Sequence, residues 1–415
     1  MRFIYSLFVW LYTFGIVLFA AFNPKAKLWA NGRKDWKKKL AEIDFIGHDI
    51  FWFHCASLGE FEQGRPLIEA IKSQGKYKIV LTFFSPSGYE LQKNYPLADW
   101  VFYLPADTIS NAHFFINSIQ PKSVFFIKYE FWFNYLFVLK RNKIPVFLIS
   151  GIFREQQHFF KWYGAWASKQ LKAFNYFFVQ NQKSLELLNS IGYKNVLVTG
   201  DTRFDRVIQI MQKSVNYDII SLFAKDFNVI VAGSTYIEDE KIIKNCFNSL
   251  LKDKNLKIII APHQVSQNRI NEIESLFGIE NCIRFSQIKT QELHKKVLII
   301  DNIGMLSSLY RYSIVAYIGG GFGKGIHNTL EAAVYGIPLV FGSNFHKFDE
   351  AKALIKCGAA FEINNEASLN EIMQKLLTDE VYRKECGLKS SQFIADHEGS
   401  LEKIMSALKS KLIIN

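Results

Sequence analysis

The sequence predicts an α/β protein with two Rossmann-like domains that face a central cleft, preceded by an N-terminal membrane anchor helix. Short apolar runs alternate with stretches of helical periodicity, and this alternation restarts about half-way along the chain. A length of 415 residues also exceeds one ordinary hydrophobic core. We therefore expect an anchor at 1–24, an N-terminal domain at 25–212 and a C-terminal domain at 213–415.

The N-terminal segment is the first element. Residues 3–24 carry no charge, and about 20 apolar residues suffice to span a bilayer as a helix. One arginine precedes them, and a strongly basic stretch follows: Lys25, Lys27, Arg33, Lys34, Lys37, Lys38 and Lys39. This asymmetry predicts an uncleaved, single-pass anchor that keeps the body of the protein in the cytoplasm. A cleaved signal peptide and a buried first helix are the alternatives; the long apolar stretch and its two apolar faces disfavour them.

Buried strands followed by helical stretches fill the rest of the chain. In the N-terminal domain the predicted strands are 49–54, 78–84, 100–104, 123–127, 145–149, 176–179 and 196–199, with the first helix at 63–73. In the C-terminal domain they are 228–232, 257–261, 296–300, 314–318, 339–341 and 360–363, and the tail 391–412 is helical. This pattern indicates parallel, doubly wound sheets, whose ligands bind beyond the carboxyl ends of the strands.

Charge and cysteine usage narrow the classes of partner. The formal net charge of +12 favours acidic partners, such as nucleotides or anionic lipid. No recognisable nucleic-acid-binding module is present, so nucleic acid is not an expected partner. The five cysteines have no spacing typical of a disulfide framework or a metal site.

A glycine-rich segment between residues 313 and 342 carries the strongest functional signal. It reads as a buried strand, a turn containing Gly319 to Gly325, a helix and a second strand. Such a turn lets backbone N–H groups approach a phosphate. His327, Asn328 and Glu331 are expected at the helix start, where polar side chains can meet a sugar or a nucleotide. The segment is neither a Walker loop nor a first-unit dinucleotide fingerprint, and its layout favours a nucleotide-sugar site.

Two glutamates are candidate catalytic acids or bases. Glu60 follows the first strand, and a carboxylate at a loop in a cleft can act as a general base. Its alternative role is to complement a helix dipole. Glu130 follows the strand 123–127 among aromatic residues, where a carboxylate is costly unless it is paired or functional. Pairing with Lys128 or helix capping is the alternative.

Three further residues follow strands of the C-terminal domain. Ser234 and Thr235 can bind phosphate or cap a helix, and the two roles are compatible. His263 can contact a nucleotide, although a lone histidine is more often structural. No second histidine or cysteine completes a metal set, no Asp-x-Asp clamp is visible, and no Gly-x-Ser-x-Gly elbow is present.

The ordered set of motifs resembles the 3-deoxy-D-manno-octulosonic acid (Kdo) transferases of lipopolysaccharide synthesis. The motifs are Ser57-Leu-Gly-Glu60, Glu130-Phe-Trp132, Gly200-Asp-Thr-Arg-Phe-Asp205, Gly233-Ser-Thr235 and Gly325-Ile-His-Asn-Thr-Leu-Glu331. The resemblance implies a fold of the glycosyltransferase B type in the bacterial inner membrane. It implies inverting transfer of Kdo from CMP-Kdo to the lipid A precursor, lipid IVA, without a metal or other cofactor.

The resemblance also assigns roles to residues. Glu60 would be the base and Glu130 a second essential carboxylate. Gly320, Asn328 and Glu331 would hold the CMP group with Ser234 and Thr235 close by. The family's Pro-Arg-His motif is here Ala261-Pro262-His263, so a basic nucleotide contact is missing, and Lys324 or Arg269 is the candidate substitute.

Two other departures concern the N-terminal domain. Arg154 is an uncertain counterpart of a family arginine, and Asp201 stands where asparagine is common. Two alternatives remain open: a lipid-acceptor transferase of the same fold that uses a UDP-sugar, and a non-catalytic membrane-anchored scaffold with a degenerate cleft.

Overall fold

The computed structural model of the protein describes residues 1–250, 255–411 and 413–414, with the side chains of 248–250 excepted. Internal contacts divide the chain into two compact units. The first unit contains Met1–Arg206 and Glu398–Asn415, and the second contains Val207–His397. The predicted boundary after residue 212 lies close to the end of this first segment at Arg206. The predicted range 213–415 also includes residues 398–415, which group with the first unit.

The first unit is built on a parallel sheet. Its strands are β1 (Ile50–Cys55), β2 (Lys78–Phe83), β3 (Trp100–Tyr103), β4 (Ser123–Ile127), β5 (Val146–Gly151), β6 (Tyr176–Val179) and β7 (Val196–Val198). Their order is β3-β2-β1-β4-β5-β6-β7. The helices are α1 (Arg2–Phe19), α2 (Pro24–Gly32), α3 (Trp36–Ala41), α4 (Leu58–Lys72), α5 (Pro86–Gln92), α6 (Ile109–Ile119), α7 (Phe133–Arg141), α8 (Ala165–Gln170), α9 (Gln182–Ser190) and α10 (Thr202–Gln212).

Both faces of this sheet are covered. All six residues of β1 are buried, which is the continuous apolar pattern typical of a parallel strand between two helical layers. Trp52 packs into one core, and Phe51 and Phe53 pack into the other, since successive side chains point to opposite faces. The sheet order reverses between β1 and β4, so the loops after these two strands flank the topological switch point where open α/β sheets bind ligands.

The second unit repeats the architecture. Its strands are β8 (Asn228–Thr235), β9 (Leu256–Pro262), β10 (Cys282–Arg284), β11 (Val297–Ile299), β12 (Val315–Ile318), β13 (Leu339–Gly342) and β14 (Ala360–Ile363). They are parallel, in the order β10-β11-β9-β8-β12-β13-β14. The helices are α11 (Asp218–Ala224), α12 (Ile237–Leu250), α13 (Gln267–Phe277), α14 (Leu306–Leu309), α15 (Leu330–Ala333), α16 (Asp349–Lys356), α17 (Glu366–Thr378) and α18 (Glu380–Ala395). Here the switch point lies between β8 and β12, which places the loops after Thr235 and Ile318 side by side.

Two parallel α/β units and an apolar N-terminal helix confirm the predicted fold class, whereas the cleft between the domains stays a prediction. The structure differs from the sequence prediction in detail. The helix expected after the glycine-rich turn is the four-residue α15. The tail forms two helices, α18 and α19 (Ser400–Ser410), because Gly399 adopts a φ of 84° between them.

The apolar helix expected at the N-terminus is present as α1. Within the described ranges, α1 is the one helix that is long and apolar enough to cross a membrane, with a mean hydropathy of 1.7. The single-pass topology remains a prediction at this point.

Candidate active site

The carboxylate of Glu60 is held at the switch point of the first unit. Glu60 lies in the first turn of α4, and its side chain is almost wholly buried. The hydroxyl of Ser57, the residue before α4, donates a hydrogen bond to Oε2 of Glu60. Because Ser57 caps no backbone N–H with its side chain, its hydroxyl serves to orient the carboxylate instead. Glu60 therefore lies where it can complement the dipole of α4, and its carboxylate is also held in one orientation. The first role does not exclude a catalytic role for the same side chain.

Glu130 occupies the loop after β4 on the other side of the switch point. The indole Nε1–H of Trp132 donates to its Oε2 at 2.7 Å, and Nε2 of His54 lies 3.4 Å from the same oxygen. Among the ion pairs of the described residues, Glu130 is joined to His54 and not to Lys128. The ammonium of Lys128 lies 5.0 Å from the ring centre of Tyr129. Lys128 adopts a φ of 70°, a conformation that strains an L side chain and is concentrated at functional sites.

His54, a site residue that sequence reasoning missed, fixes the orientation of this second carboxylate. The single Nε1–H of Trp132 is shared between Oε2 of Glu130 at 2.7 Å and Nε2 of His54 at 2.9 Å. Nδ1 of His54 lies 2.9 Å from Oγ1 of Thr82. Oγ1 of Thr82 accepts the indole N–H of Trp52 at 2.8 Å, and the Thr82 hydroxyl is donated to the carbonyl of Phe53. Both ring nitrogens of His54 are therefore held by polar partners. A polar residue inside the apolar run 50–55 is the signal that could have revealed it.

Cys55, the last residue of β1, experiences the charges of both glutamates. Burial raises the pKa of the Cys55 thiol well above its usual value, and the nearby charges of Glu60 and Glu130 raise it further. Both carboxylates are therefore near enough for their charges to act on the Cys55 thiol, although they come from different loops. Because its pKa is raised, the thiol is protonated at neutral pH and is not a candidate nucleophile.

A second network ties α4 to the segment that follows β7. Oδ1 of Asp201 accepts Nε2–H of Gln63 at 2.9 Å, and its Oδ2 accepts the guanidinium of Arg203 at 2.9 Å. Burial alone would raise the pKa of Asp201, but the charge and hydrogen bonds of Arg203, together with Gln63, hold it below its usual value. Arg154 lies elsewhere in the unit and lines a cavity of about 310 Å³ with Tyr129, the neighbour of Glu130.

The glycine-rich turn in the second unit packs against the end of β8. Gly319 donates its N–H to the carbonyl of Gly233 at 2.9 Å, and a Cβ at this position would lie 2.3 Å from the Ser234 carbonyl oxygen. Gly320 has a φ of 93°, which favours glycine. The turn requires glycine at both positions, for steric reasons at the first and for conformational reasons at the second.

A buried aspartate that the sequence reasoning passed over holds this turn in place. Oδ2 of Asp239 accepts the backbone N–H of Gly320 at 2.8 Å and that of Tyr236 at 2.9 Å, and its Oδ1 accepts the Tyr317 hydroxyl at 2.9 Å. The N–H groups of Gly323 and Gly325 also bond within the turn, to the carbonyl of Gly320. Several N–H groups expected to face a phosphate are thus engaged internally, and the four-residue α15 is too short to add a helix dipole.

Three aromatic rings stack beside the turn. The rings of Tyr236 and His263 have centres 4.9 Å apart, and those of His263 and His327 have centres 4.5 Å apart. The Lys324 ammonium lies 5.7 Å from the Tyr236 ring centre. Burial, and then the charge of Lys324, lowers the pKa of His263. The structure therefore brings together the predicted residues His263, Lys324 and His327. Tyr236, which was not predicted, lies in the same cluster.

Three of the remaining predicted residues, Thr235, Asn328 and Glu331, form side-chain hydrogen bonds within the protein. The Thr235 hydroxyl donates to Oε1 of buried Glu240 at 2.7 Å, so its hydrogen is committed to the protein. Nδ2 of Asn328 donates to Oε1 of Glu331 at 2.9 Å. Ser234 has a φ of 55° at the end of β8, another strained conformation at a strand end.

Comparison with known proteins finds relatives along most of the chain. A family model described as 3-Deoxy-D-manno-octulosonic-acid transferase (kdotransferase) matches residues 30–206, ending where the first unit ends. The 3-deoxy-D-manno-octulosonic acid transferase of Aquifex aeolicus is 29% identical over 79% of this chain and 86% of its own length. The enzyme of the same name from Haemophilus influenzae is 27% identical over 91% of this chain and 92% of its own. The chain is thus similar to Kdo transferases over most of its length, and it is a glycosyltransferase.

Solved structures of other proteins share the fold of this chain. UDP-GlcNAc 2-epimerase from Neisseria meningitidis superposes with a TM-score of 0.61 at 16% identity, covering 87% of this chain and 100% of that one. MurG from Acinetobacter baumannii gives a TM-score of 0.54 at 12% identity, covering 87% and 99%. These likenesses confirm an architecture of the glycosyltransferase B type.

The structure separates Arg269 and Lys324, the two candidates for the basic nucleotide contact that the sequence lacks. Arg269 is mostly buried and forms ion pairs with Glu240 and with Glu272, so its charge is already balanced. Lys324 is exposed in the turn beside His263. Of these two cations, Lys324 is therefore the one placed to meet an added anion.

The stacked histidines predict a pH effect on stability. Burial, with the neighbouring His263, lowers the pKa of His327 from 6.5 to about 4. A depressed histidine pKa gives stability that is complete above the unfolded value and is lost as the pH falls through the folded value. We expect the free energy of unfolding of the wild type to fall relative to that of His327→Gln between pH 6.5 and about 4. Denaturant unfolding across that range measures the difference, and parallel curves would contradict the assignment.

Proposed function

We propose that this glycosyltransferase moves Kdo from CMP-Kdo to the lipid A precursor, lipid IVA, with inversion and without a metal. The observation that carries the proposal is the pair of buried, hydrogen-bonded carboxylates, Glu60 and Glu130, at the switch point between β1 and β4. The similarity to Kdo transferases supports Kdo as the sugar that is transferred. The pair of carboxylates supports an acid–base step on a sugar hydroxyl.

Glu60 is the proposed general base. A sugar hydroxyl is a weak nucleophile, and its attack on the anomeric carbon of Kdo is assisted when a carboxylate takes its proton. The bond from that carbon to the CMP phosphate breaks as the new glycosidic bond forms, so a single displacement inverts the anomeric centre. The Ser57 hydroxyl holds Oε2 of Glu60 in one orientation, which favours proton transfer to a defined atom. Glu130 is the second proposed catalytic carboxylate, aligned by Trp132 and His54.

The second unit is the proposed site of the donor. Lys324 supplies positive charge for the CMP phosphate, which becomes more anionic as it leaves. The Asn328–Glu331 pair is proposed to bind the ribose, because a carboxylate accepts hydrogen bonds from vicinal hydroxyls. Ser234, Thr235, Gly320 and His263 complete the proposed site. They line the switch point between β8 and β12 or stack beside it.

The proposed place of action is the cytoplasmic face of the bacterial inner membrane. A lipid acceptor lies in a bilayer, and the chain carries an apolar helix followed directly by exposed lysines. Basic residues next to anionic lipid contribute roughly 1 kcal/mol each, which keeps an enzyme at its lipid substrate.

Transfer of labelled Kdo to a tetraacyl lipid A precursor tests the proposal. CMP-Kdo is prepared in advance, EDTA is present during the transfer, and the product is analysed for anomeric configuration. We expect an inverted product, together with thermal stabilisation of the protein by CMP and not by UMP. Stabilisation by UMP or UDP alone would favour a UDP-sugar as donor. Product formation that stops on adding EDTA would contradict the metal-free mechanism.

A further inference from the structure

The face that α1 turns toward the first unit is unusual for a membrane helix. The covered residues recur at helical spacing along its whole length: Arg2, Tyr5, Ser6, Val9, Thr13, Ile16 and Ala20. Four of these seven are polar or charged side chains. The exposed positions between them are, apart from Gly15, apolar or aromatic, with Phe3 80% and Phe8 64% exposed. Polar groups inside and apolar groups outside are the reverse of what water requires of a surface helix.

Specific contacts attach the N-terminal half of α1 to the body. The Tyr5 hydroxyl donates to Oδ2 of fully buried Asp107 at 2.5 Å, and its ring centre lies 5.0 Å from that of Phe133. Nδ2 of Asn134 donates to Oγ of Ser6 at 3.3 Å. Asp107 also accepts the backbone N–H groups that open α7, so the helix docks onto a fixed part of the core.

Contacts continue toward both ends of the helix. The guanidinium carbon of Arg2 lies 3.4 Å from the ring centre of Phe137, and the Tyr12 ring stacks on Phe84 with centres 6.5 Å apart. These contacts span ten residues, or about 15 Å of helix at 1.5 Å per residue. A helix that crossed the bilayer away from a cytoplasmic body would carry Tyr5 about 21 Å beyond Phe19, far from Asp107.

Charge and aromatic residues around α1 indicate what covers its outer face. The segment that follows carries Lys25, Lys27, Lys34, Lys37, Lys38 and Lys39, all exposed. It is fixed to the body by Arg33, which donates to the carbonyls of Leu104 and Phe84. Near the other end of α1, Trp166 contacts Tyr5, and the loop just before it exposes 92% of Trp162. An apolar face bordered by lysines and an exposed tryptophan matches an anionic lipid leaflet, where such residues lie at the headgroup level.

We propose that α1 lies in the plane of one anionic membrane leaflet, with its polar face docked on the first unit, and does not cross the bilayer. The occupant of its outer face is lipid. Both termini of the chain are then on the same side of the membrane. This inference replaces the single-pass topology predicted from the charge pattern. It concerns attachment alone, so it does not depend on the donor or the acceptor proposed above.

Cross-linking in intact membranes tests the docked contact. The full chain with Cys357, the exposed cysteine among those described, replaced by Ser provides the background. Ser6→Cys and Asn134→Cys are combined and treated with a short cross-linker that carries two thiol-reactive groups. Leu7→Cys with Asn134→Cys is the matched control, because Leu7 faces outward. We expect an intramolecular cross-link in the first pair and none in the second; the same low yield in both pairs would overturn docking.

A depth measurement keeps the test decisive if Asn134→Cys perturbs folding. Single cysteines at the exposed positions Ile4, Leu11 and Leu18 are labelled with a fluorophore and quenched by lipids brominated at known depths. An in-plane helix gives similar depths at all three positions, about 5–10 Å into the headgroup and acyl boundary. Depths that change by about 21 Å from Ile4 to Leu18 would show a crossing helix and overturn the proposal. Absence of quenching would identify a protein surface, including a second copy, as the occupant and would also overturn it.

The side of the membrane reached by the N-terminus gives an independent result. Tags fused before Met1 and after the last residue are both expected to resist protease added to spheroplasts and to be cleaved in inverted vesicles. Cleavage of the N-terminal tag alone in spheroplasts, or its removal during maturation, would overturn the in-plane arrangement.

Discussion

Replacement of Glu60 by Gln is expected to lower kcat for Kdo transfer by about 10²- to 10⁴-fold, the usual contribution of a general base. Gln keeps the size of the side chain and can still accept the Ser57 hydroxyl, but it cannot take a proton from the attacking sugar hydroxyl. Binding of CMP is expected to be unchanged, because no CMP contact is assigned to Glu60. Single-turnover transfer and calorimetric titration with CMP measure the two quantities separately.

Glu62→Gln is the matched control for this prediction. Glu62 lies on the same helix two residues later, is partly exposed, and pairs with Arg65 and Arg206. Neutralising it changes the local charge by the same amount without touching the proposed base, so kcat is expected to stay near that of the wild type. Equal losses in both variants would assign the effect to the charge of α4. Full activity in Glu60→Gln would remove Glu60 from the mechanism.

The second large effect is expected for Gly319→Ala in the glycine-rich turn. The added methyl group would lie 2.3 Å from the carbonyl oxygen of Ser234 and 2.6 Å from Cα of Thr235. Both neighbours are backbone atoms at the end of β8, so no side chain can rotate away. We expect a loss of at least about 3 kcal/mol in the free energy of unfolding, the upper part of the range for overpacked sites. Loss of CMP binding is expected as well.

Gly323→Ala provides the control within the same turn. No heavy atom lies within 4 Å of a Cβ built at this position. We therefore expect its stability and CMP affinity to stay close to those of the wild type. Denaturant unfolding and CMP titration of the two variants give the comparison. A Gly319→Ala protein as stable as Gly323→Ala would show that the close approach of the two strand ends is not required.

Most strands and the placement of the candidate residues could be predicted because buried parallel strands are continuous apolar runs. The run 49–54 predicted β1, which the structure places at Ile50–Cys55, and the residues that follow it include Glu60. The three-residue β10 was missed because it lies at a sheet edge and is too short to show a period. The helix after the turn was predicted too early, because Asn328 uses its Oδ1 to accept the Leu330 N–H and makes a local turn.

Tertiary contacts account for what the sequence did not reveal. Asp239 lies in an acidic run that reads as the first turn of a helix, and only the fold brings it to Gly320 and Tyr317. The polar stripe of α1 was overlooked for a similar reason. Tyr5, Ser6 and Thr13 are few and widely spaced within an apolar segment. Their position on one side of the helix becomes informative only once the fold brings Tyr5 to Asp107 and Ser6 to Asn134.

The grouping of residues 398–415 with the first unit has a consequence for biosynthesis. Ile404, Leu408 and Ile414 complete the core that contains Phe51 and Phe53, and Asp205 accepts the backbone N–H groups of Gly399 and Leu401. These residues leave the ribosome after the whole of the second unit. The unit begun first therefore closes its core last, and the apolar surface that α19 covers stays exposed until the end of the chain has been made.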